Sequence, residues 1–333
     1  MIFAELFLCL IVILIAAEVF TNALEHLGEK LGISEGVTGS VFAAIGTALP
    51  ETSVPLLALM AGTSDAHLNE EIGVGAILGA PLMLSTLSIS LLAFAVLKNR
   101  KALGHFHPER TGLKRDLDFF IFAFGFATLA LFVPQEVKAV RYAIGFVMIM
   151  IYFIYIMLTL RASKSLVADG HATEAESPMF LCRLGLPNHM IVVMLQLLIG
   201  LALLIGGAKG FISGIEGASE LLGVTPLLLS LLVIPIATEL PEKVNSILWV
   251  RKGKDTLAFG NITGALVFQG TLLPAIGIML TPWVPQKEVF AGVVITLLGV
   301  LWIRWMISRG QLRVWHVWVN GLMYLAYLVF TLS

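Results

Sequence analysis

Three carboxylates stand where a carboxylate is costly. Glu51, Glu239 and Glu242 each lie about midway along an apolar stretch, and two of them close the same short motif. Ile45-Gly46-Thr47-Ala48-Leu49-Pro50-Glu51 matches Ile236-Ala237-Thr238-Glu239-Leu240-Pro241-Glu242 at five of seven positions. An acid near the centre of a bilayer costs roughly 2.5–3.5 kcal/mol on insertion scales, so a bound cation is the economical reason to keep three. Thr47 precedes Glu51 by one helical turn, as Thr238 precedes Glu242, which sets a hydroxyl and a carboxylate on one face. Pro50 and Pro241 lack an N–H and clash with the carbonyl four residues earlier, which frees the carbonyls of Gly46 and Ala237. Carboxylate, hydroxyl and carbonyl oxygens together suit a hard cation such as Ca²⁺ or Na⁺. Asn261 offers an amide oxygen as well.

The elements that carry these residues are set by the solvent. Of 333 residues, 58% are hydrophobic and only 13% charged, about half the charge of an ordinary soluble domain. Apolar stretches of about 20 residues recur. The chain therefore reads as an all-α polytopic membrane protein of about ten transmembrane helices. They are expected near 2–20, 37–61, 72–97, 117–133, 139–160, 189–207, 224–249, 256–280, 288–307 and 314–332. Residues 2–20 form the first of them and not a cleaved signal, since no Lys or Arg precedes Lys30. The net charge of −1 excludes a generally basic nucleic-acid binder. Cys9 and Cys182 make no disulfide framework.

Sixteen of the 21 Lys and Arg residues fall in connections on one side of this plan, and four on the other: Lys138, Arg141, Lys209 and Lys287. The positive-inside rule then places the basic loops in the cytoplasm of a plasma (inner) membrane and both termini outside. The six Trp residues fall near span ends, as an interfacial belt requires.

The halves are related. Besides the Pro-Glu motif, Leu31-Gly32-Ile33-Ser34 recurs as Leu222-Gly223-Val224-Thr225, and Gly75-Ala76-Ile77-Leu78-Gly79-Ala80 as Gly260-Asn261-Ile262-Thr263-Gly264-Ala265. Residues 1–160 form a first five-helix half with one repeat at about 31–81. A cytoplasmic linker loop covers 161–188, and 189–333 forms the second half with its repeat at about 222–269. Five spans per half is odd, so the second copy enters from the opposite face, as in inverted-repeat transporters. Gly75, Gly79, Gly260 and Gly264 are spaced for close helix packing against the site.

Lys243 leaves two arrangements open. It can pair with Glu239 one turn earlier, leaving Glu51 and Glu242 to match one divalent ion. Or it snorkels towards the cytoplasm and all three acids face the ion. His105 and His107 read as a solvated loop and not a metal pair, and Asp65, Glu70 and Glu71 as a solvated external turn or a cation-attracting entrance. The chain carries no phosphate-binding glycine loop, zinc spacing or nucleophile with a base, so no enzyme and no cofactor are expected. Its expected partners are the lipid bilayer and inorganic cations, not nucleic acid.

The paired Gly-Thr-x-Leu-Pro-Glu and Gly-x-x-x-Gly-Ala blocks resemble the α-repeats of the calcium/cation antiporter superfamily, most closely the sodium/calcium exchangers. The resemblance implies alternating access, with ions bound between the second, third, seventh and eighth spans and with Thr47, Glu51, Thr238, Glu242 and Asn261 as ligands. It implies exchange of Ca²⁺ against Na⁺. The departures from the family pattern are Ala48, Ala76, Ala80, Pro81, Ala265 and Leu266, where oxygen ligands are usual, and Glu239, where a Ser is usual. They keep Ca²⁺/H⁺ exchange open through the same carboxylates. A passive channel or a non-transporting protein with an inherited fold is the reading from a different class.

Overall fold

The computed structural model describes residues 2–30, 51–60, 65–163 and 178–333. Every described element is a helix. In order they are α1 (Ile2–Lys30), α2 (Glu51–Met60), α3 (Ala66–Met83), α4 (Ile89–Arg100), α5 (Arg110–Ala130), α6 (Lys138–Ser163), α7 (Phe180–Arg183), α8 (Met190–Leu222), α9 (Pro226–Arg251), α10 (Asp255–Leu280), α11 (Lys287–Ser308) and α12 (Val314–Leu332). A single π-turn, Leu84–Ser88, joins α3 to α4 without a break. Among the described residues, seven helical stretches are long and apolar enough to cross a membrane. The chain is an integral membrane protein.

The helices divide into two compact units, and each draws on both halves of the sequence. Unit 1 comprises residues 1–69 and 160–223, and unit 2 comprises 70–159 and 224–333.

In unit 1, α1 and α8 pack along their length. Gly200, Gly207, Gly210, Gly214 and Gly217 of α8 meet Phe20, Ile13, Cys9, Leu6 and Ile2 of α1 in that order, so the two helices are antiparallel. The helix of residues 189–207 expected from sequence therefore continues to Leu222, where Gly223 caps it in the left-handed region at φ 67°. Gly207, at the expected end, supplies a contact with Ile13 of α1, and Lys209 lies on an exposed helical position rather than in a connection. Polar atoms at the end of the pair are joined by Gln196, which donates to the Val19 carbonyl and to Asn22 at 3.0 and 2.9 Å.

In unit 2, α10 packs against α5 and α9, and α12 against α4 and α11. Asp65 caps α3 by accepting from the His67 and Leu68 amides, so Glu70 and Glu71 are helical rather than part of a turn. Trp283 departs from the interfacial belt. It is 1% exposed, and its indole N–H donates to the Ala127 carbonyl at 3.0 Å.

Candidate functional site

Helix α9 carries most of the describable motif. Its start is fixed by Thr225, whose hydroxyl accepts from the Leu228 amide, and by Pro226, whose missing N–H costs nothing there. Its position is fixed by α3. A Cβ at Gly75 would stand 2.5 Å from the Leu227 carbonyl oxygen, and one at Gly79 would stand 2.1 Å from the Leu231 oxygen. Only glycine lets the two backbones approach so closely. The matching pair does not behave alike. A Cβ at Gly260 meets nothing within 4 Å, and one at Gly264 reaches only the Tyr155 hydroxyl at 4.0 Å. Among the described residues the expected close packing is thus present at Gly75 and Gly79 and not at Gly260 and Gly264.

Along α9, which continues unbroken past Pro241, Thr238 is buried and its hydroxyl donates to the Ile234 carbonyl at 3.0 Å. That bond leaves the oxygen lone pairs for an acceptor role. Ala237 is half-buried. Glu239 is 0% exposed and has both oxygens engaged: Lys243, itself 1% exposed, stands 3.0 Å from Oε2, and Gln269 of α10 donates to Oε1. The ion-paired arrangement of Lys243 is thus the one present. One turn further, Ser246 accepts from the Asn261 amide at 2.9 Å, which ties α9 to α10 and leaves the Asn261 carbonyl oxygen as the group a cation would use.

In unit 1, Glu51 is the first described residue of α2 and is buried, 6% exposed. Gly46, Thr47 and the side chain of Glu242 lie outside the described residues. Among the described residues no three His, Cys, Asp or Glu side chains are grouped to hold a metal.

Helix α10 is anchored at three further points that sequence reasoning missed. At its start, Asp255 accepts from both guanidinium nitrogens of Arg100 at 2.7 Å and from the His107 amide at 2.8 Å. Midway, the Thr263 hydroxyl donates to Asp116 at 2.7 Å, and the Tyr155 hydroxyl donates to the same carboxylate at 3.2 Å. At its end, Arg141 donates to the carbonyls of Ile278, Thr281 and Pro282. Arg141 is 4% exposed, so it is a buried helix cap and not a connection residue. A cavity of about 240 Å³ beside it is lined by Glu70, Lys138 and Tyr142, so its charge is mixed rather than acidic. The signals were present in Asp116 and Gln269, polar residues at the start and within apolar stretches. Nothing in the sequence marked Arg141 as more than a flanking cation.

Residues 1–161 and 192–333 match the family model described as sodium/calcium exchanger protein. The sodium/calcium exchanger MaX1 of Methanosarcina acetivorans is 23% identical over 361 aligned residues, covering 98% of this chain and 97% of that protein. The inner membrane protein YrbG of Escherichia coli is 23% identical over 279 residues, covering 84% of this chain and 80% of that protein. The crystal structure of the H⁺/Ca²⁺ exchanger CAX superposes with a TM-score of 0.71 at 19% identity, covering 99% of this chain and 82% of that one.

Proposed function

Because the chain belongs to the sodium/calcium exchanger protein family, and is thus a secondary active cation antiporter, we propose that it exchanges Ca²⁺ against Na⁺ by alternating access. The observation that carries this reading is the doubled Thr-x-Leu-Pro-Glu motif in two apolar segments of opposite expected direction. In this reading Glu51 and Glu242 converge on one dehydrated Ca²⁺, and their two charges neutralise it. Thr47, Thr238, Asn261 and the carbonyls of Gly46 and Ala237 complete an oxygen shell of the size Ca²⁺ takes. Ten spans in two inverted halves, 1–160 and 189–333, would present that shell to either side in turn, with both termini outside the plasma (inner) membrane. Ion gradients drive the work, and no catalytic step is involved.

A second reading, Ca²⁺/H⁺ exchange, is favoured by one specific feature. Ala48, Ala76, Ala80, Pro81, Ala265 and Leu266 stand where the family pattern has oxygen ligands, and these losses weaken sodium sites more than a pair of carboxylates that can carry protons. Radioactive Ca²⁺ uptake into vesicles, driven separately by a Na⁺ gradient and by a pH gradient, decides between them. Exchange requires an opposing gradient and is abolished by Glu51→Gln or Glu242→Gln. Uptake indifferent to every gradient would mean a channel, and no uptake a protein that does not transport.

A further inference from the structure

We infer that Lys243 is a tethered cation: its ammonium stands in a monovalent-cation position of the second repeat, so that Glu239 binds no transported ion. The inference rests on the antiporter reading above and assigns one of that site's charges. Four observations carry it.

First, the pair is sealed. Glu239 and Lys243 are 0% and 1% exposed and 3.0 Å apart. Second, both groups belong to α9, one turn apart. Whichever side of the membrane the site faces, the ammonium travels with the carboxylate and cannot dissociate, as a free Na⁺ would. Third, the carboxylate is held from a second helix. Gln269 of α10, 1% exposed, donates to Oε1, so Glu239 is fixed by two helices at once. Fourth, the first repeat has neither charge. The positions matching Glu239 and Lys243 are Ala48 and Thr52. Carboxylate and ammonium are therefore an addition whose net charge is zero.

An alkylammonium and Na⁺ carry the same charge and are both held by carboxylate oxygens, so the side chain does by covalent attachment what a bound ion does by affinity. The consequence for transport is a count. An exchanger with this position filled by its own side chain moves one monovalent ion fewer in each cycle than one in which the position is open.

The test removes the tether. Purified Lys243→Ala should melt below the wild type in choline chloride. It should regain about 2 °C when Na⁺ at about ten times its dissociation constant replaces choline at equal ionic strength. Methylammonium should give the same rescue. This Na⁺-over-choline gain should exceed that of the wild type, and the excess should vanish in the neutral pair Glu239→Gln/Lys243→Met. Equilibrium binding of radioactive Na⁺ should show one more site in Lys243→Ala than in the wild type. Lys243→Gln, which keeps a chain of similar length, takes the place of alanine if that variant does not fold. A Na⁺ response and a site count equal to those of the wild type would overturn the inference, because a merely structural ion pair creates no new cation site. Both measurements are made without Ca²⁺ flux. They therefore fail independently of the antiporter reading, which fails instead on wild-type Ca²⁺ uptake.

Discussion

Alanine at position 79 should destabilise the protein although it improves the helix it sits in. The added Cβ would lie 2.1 Å from the Leu231 oxygen, 2.8 Å from its carbonyl carbon and 2.8 Å from Pro235 Cγ. An ordinary carbon–oxygen contact is about 3.2 Å, and the neighbour is backbone rather than a side chain that can swing aside, so α3 and α9 must part by about 1 Å. Overpacking of this kind costs about 1–3 kcal/mol, and the backbone contact places Gly79→Ala at the upper end. Replacing Gly by Ala within a helix returns about 1 kcal/mol. The net loss is therefore about 2 kcal/mol, which lowers the melting temperature of a chain of 333 residues by roughly 3 °C. Gly125→Ala is the control, because a Cβ there meets nothing within 4 Å and only the helix gain remains. Thermal unfolding in detergent compares the two. If Gly79→Ala melts with or above Gly125→Ala, the close approach of α3 to α9 is not what holds the motif.

Other perturbations act on the anchors of α10 and on the start of α5. Arg141→Lys replaces a fork spanning three carbonyls with one ammonium. It should cost about 2–4 kcal/mol, seen as a lower melting temperature and faster amide exchange just after α10. Asp255→Ala leaves the Arg100 guanidinium without its carboxylate, and with Arg100 22% exposed the loss should be about 3 kcal/mol, the low end for a buried pair; unchanged unfolding would show the pair to be ornamental. Glu109 accepts from the Gly112 and Thr111 amides, and the Gly112 bond above all holds its carboxyl below the usual range. Its contribution is full above the unfolded value of about 4.3 and is lost as pH falls through the lower folded value. The stability gap between the wild type and Glu109→Gln should therefore close on acidification, and a gap that widened would reverse the sign.

What could be read in the sequence was what bilayer solvation dictates. The apolar stretches located the helices because a backbone in hydrocarbon must satisfy its own hydrogen bonds, and the shared Pro-Glu blocks located α9. Gly75 and Gly79 were legible as packing glycines because their spacing matches a helical turn. Gly260 and Gly264 have the same spacing and no such contact among the described residues, since spacing states which face a glycine is on and not what lies opposite. The end of α8 was misplaced because the thickness of the hydrocarbon sets how many residues cross it and not how far the helix continues beyond it. Lys243 was ambiguous because an i,i+4 pair and a snorkelling lysine have the same sequence. Trp283 and Arg141 look like ordinary interfacial residues until the Ala127 and Ile278 carbonyls are brought to them by helices far away in the chain.

The wide turn at Leu84–Ser88 has a consequence for how one long helix serves two neighbours. Pro81 precedes it, and the Ser85 carbonyl accepts from the buried Asn320 amide of α12 at 2.7 Å. In a regular helix Gly79 and Ser90 would look in nearly the same direction, being about three full turns apart. The π-turn absorbs one additional residue and swings the later segment by about 100°. Gly79 can then meet α9 while Ser90 meets Gly321 of α12. Excising a single residue from the turn would rotate one of these contacts out of alignment, so this stretch should tolerate exchanges of side chain far better than changes of length.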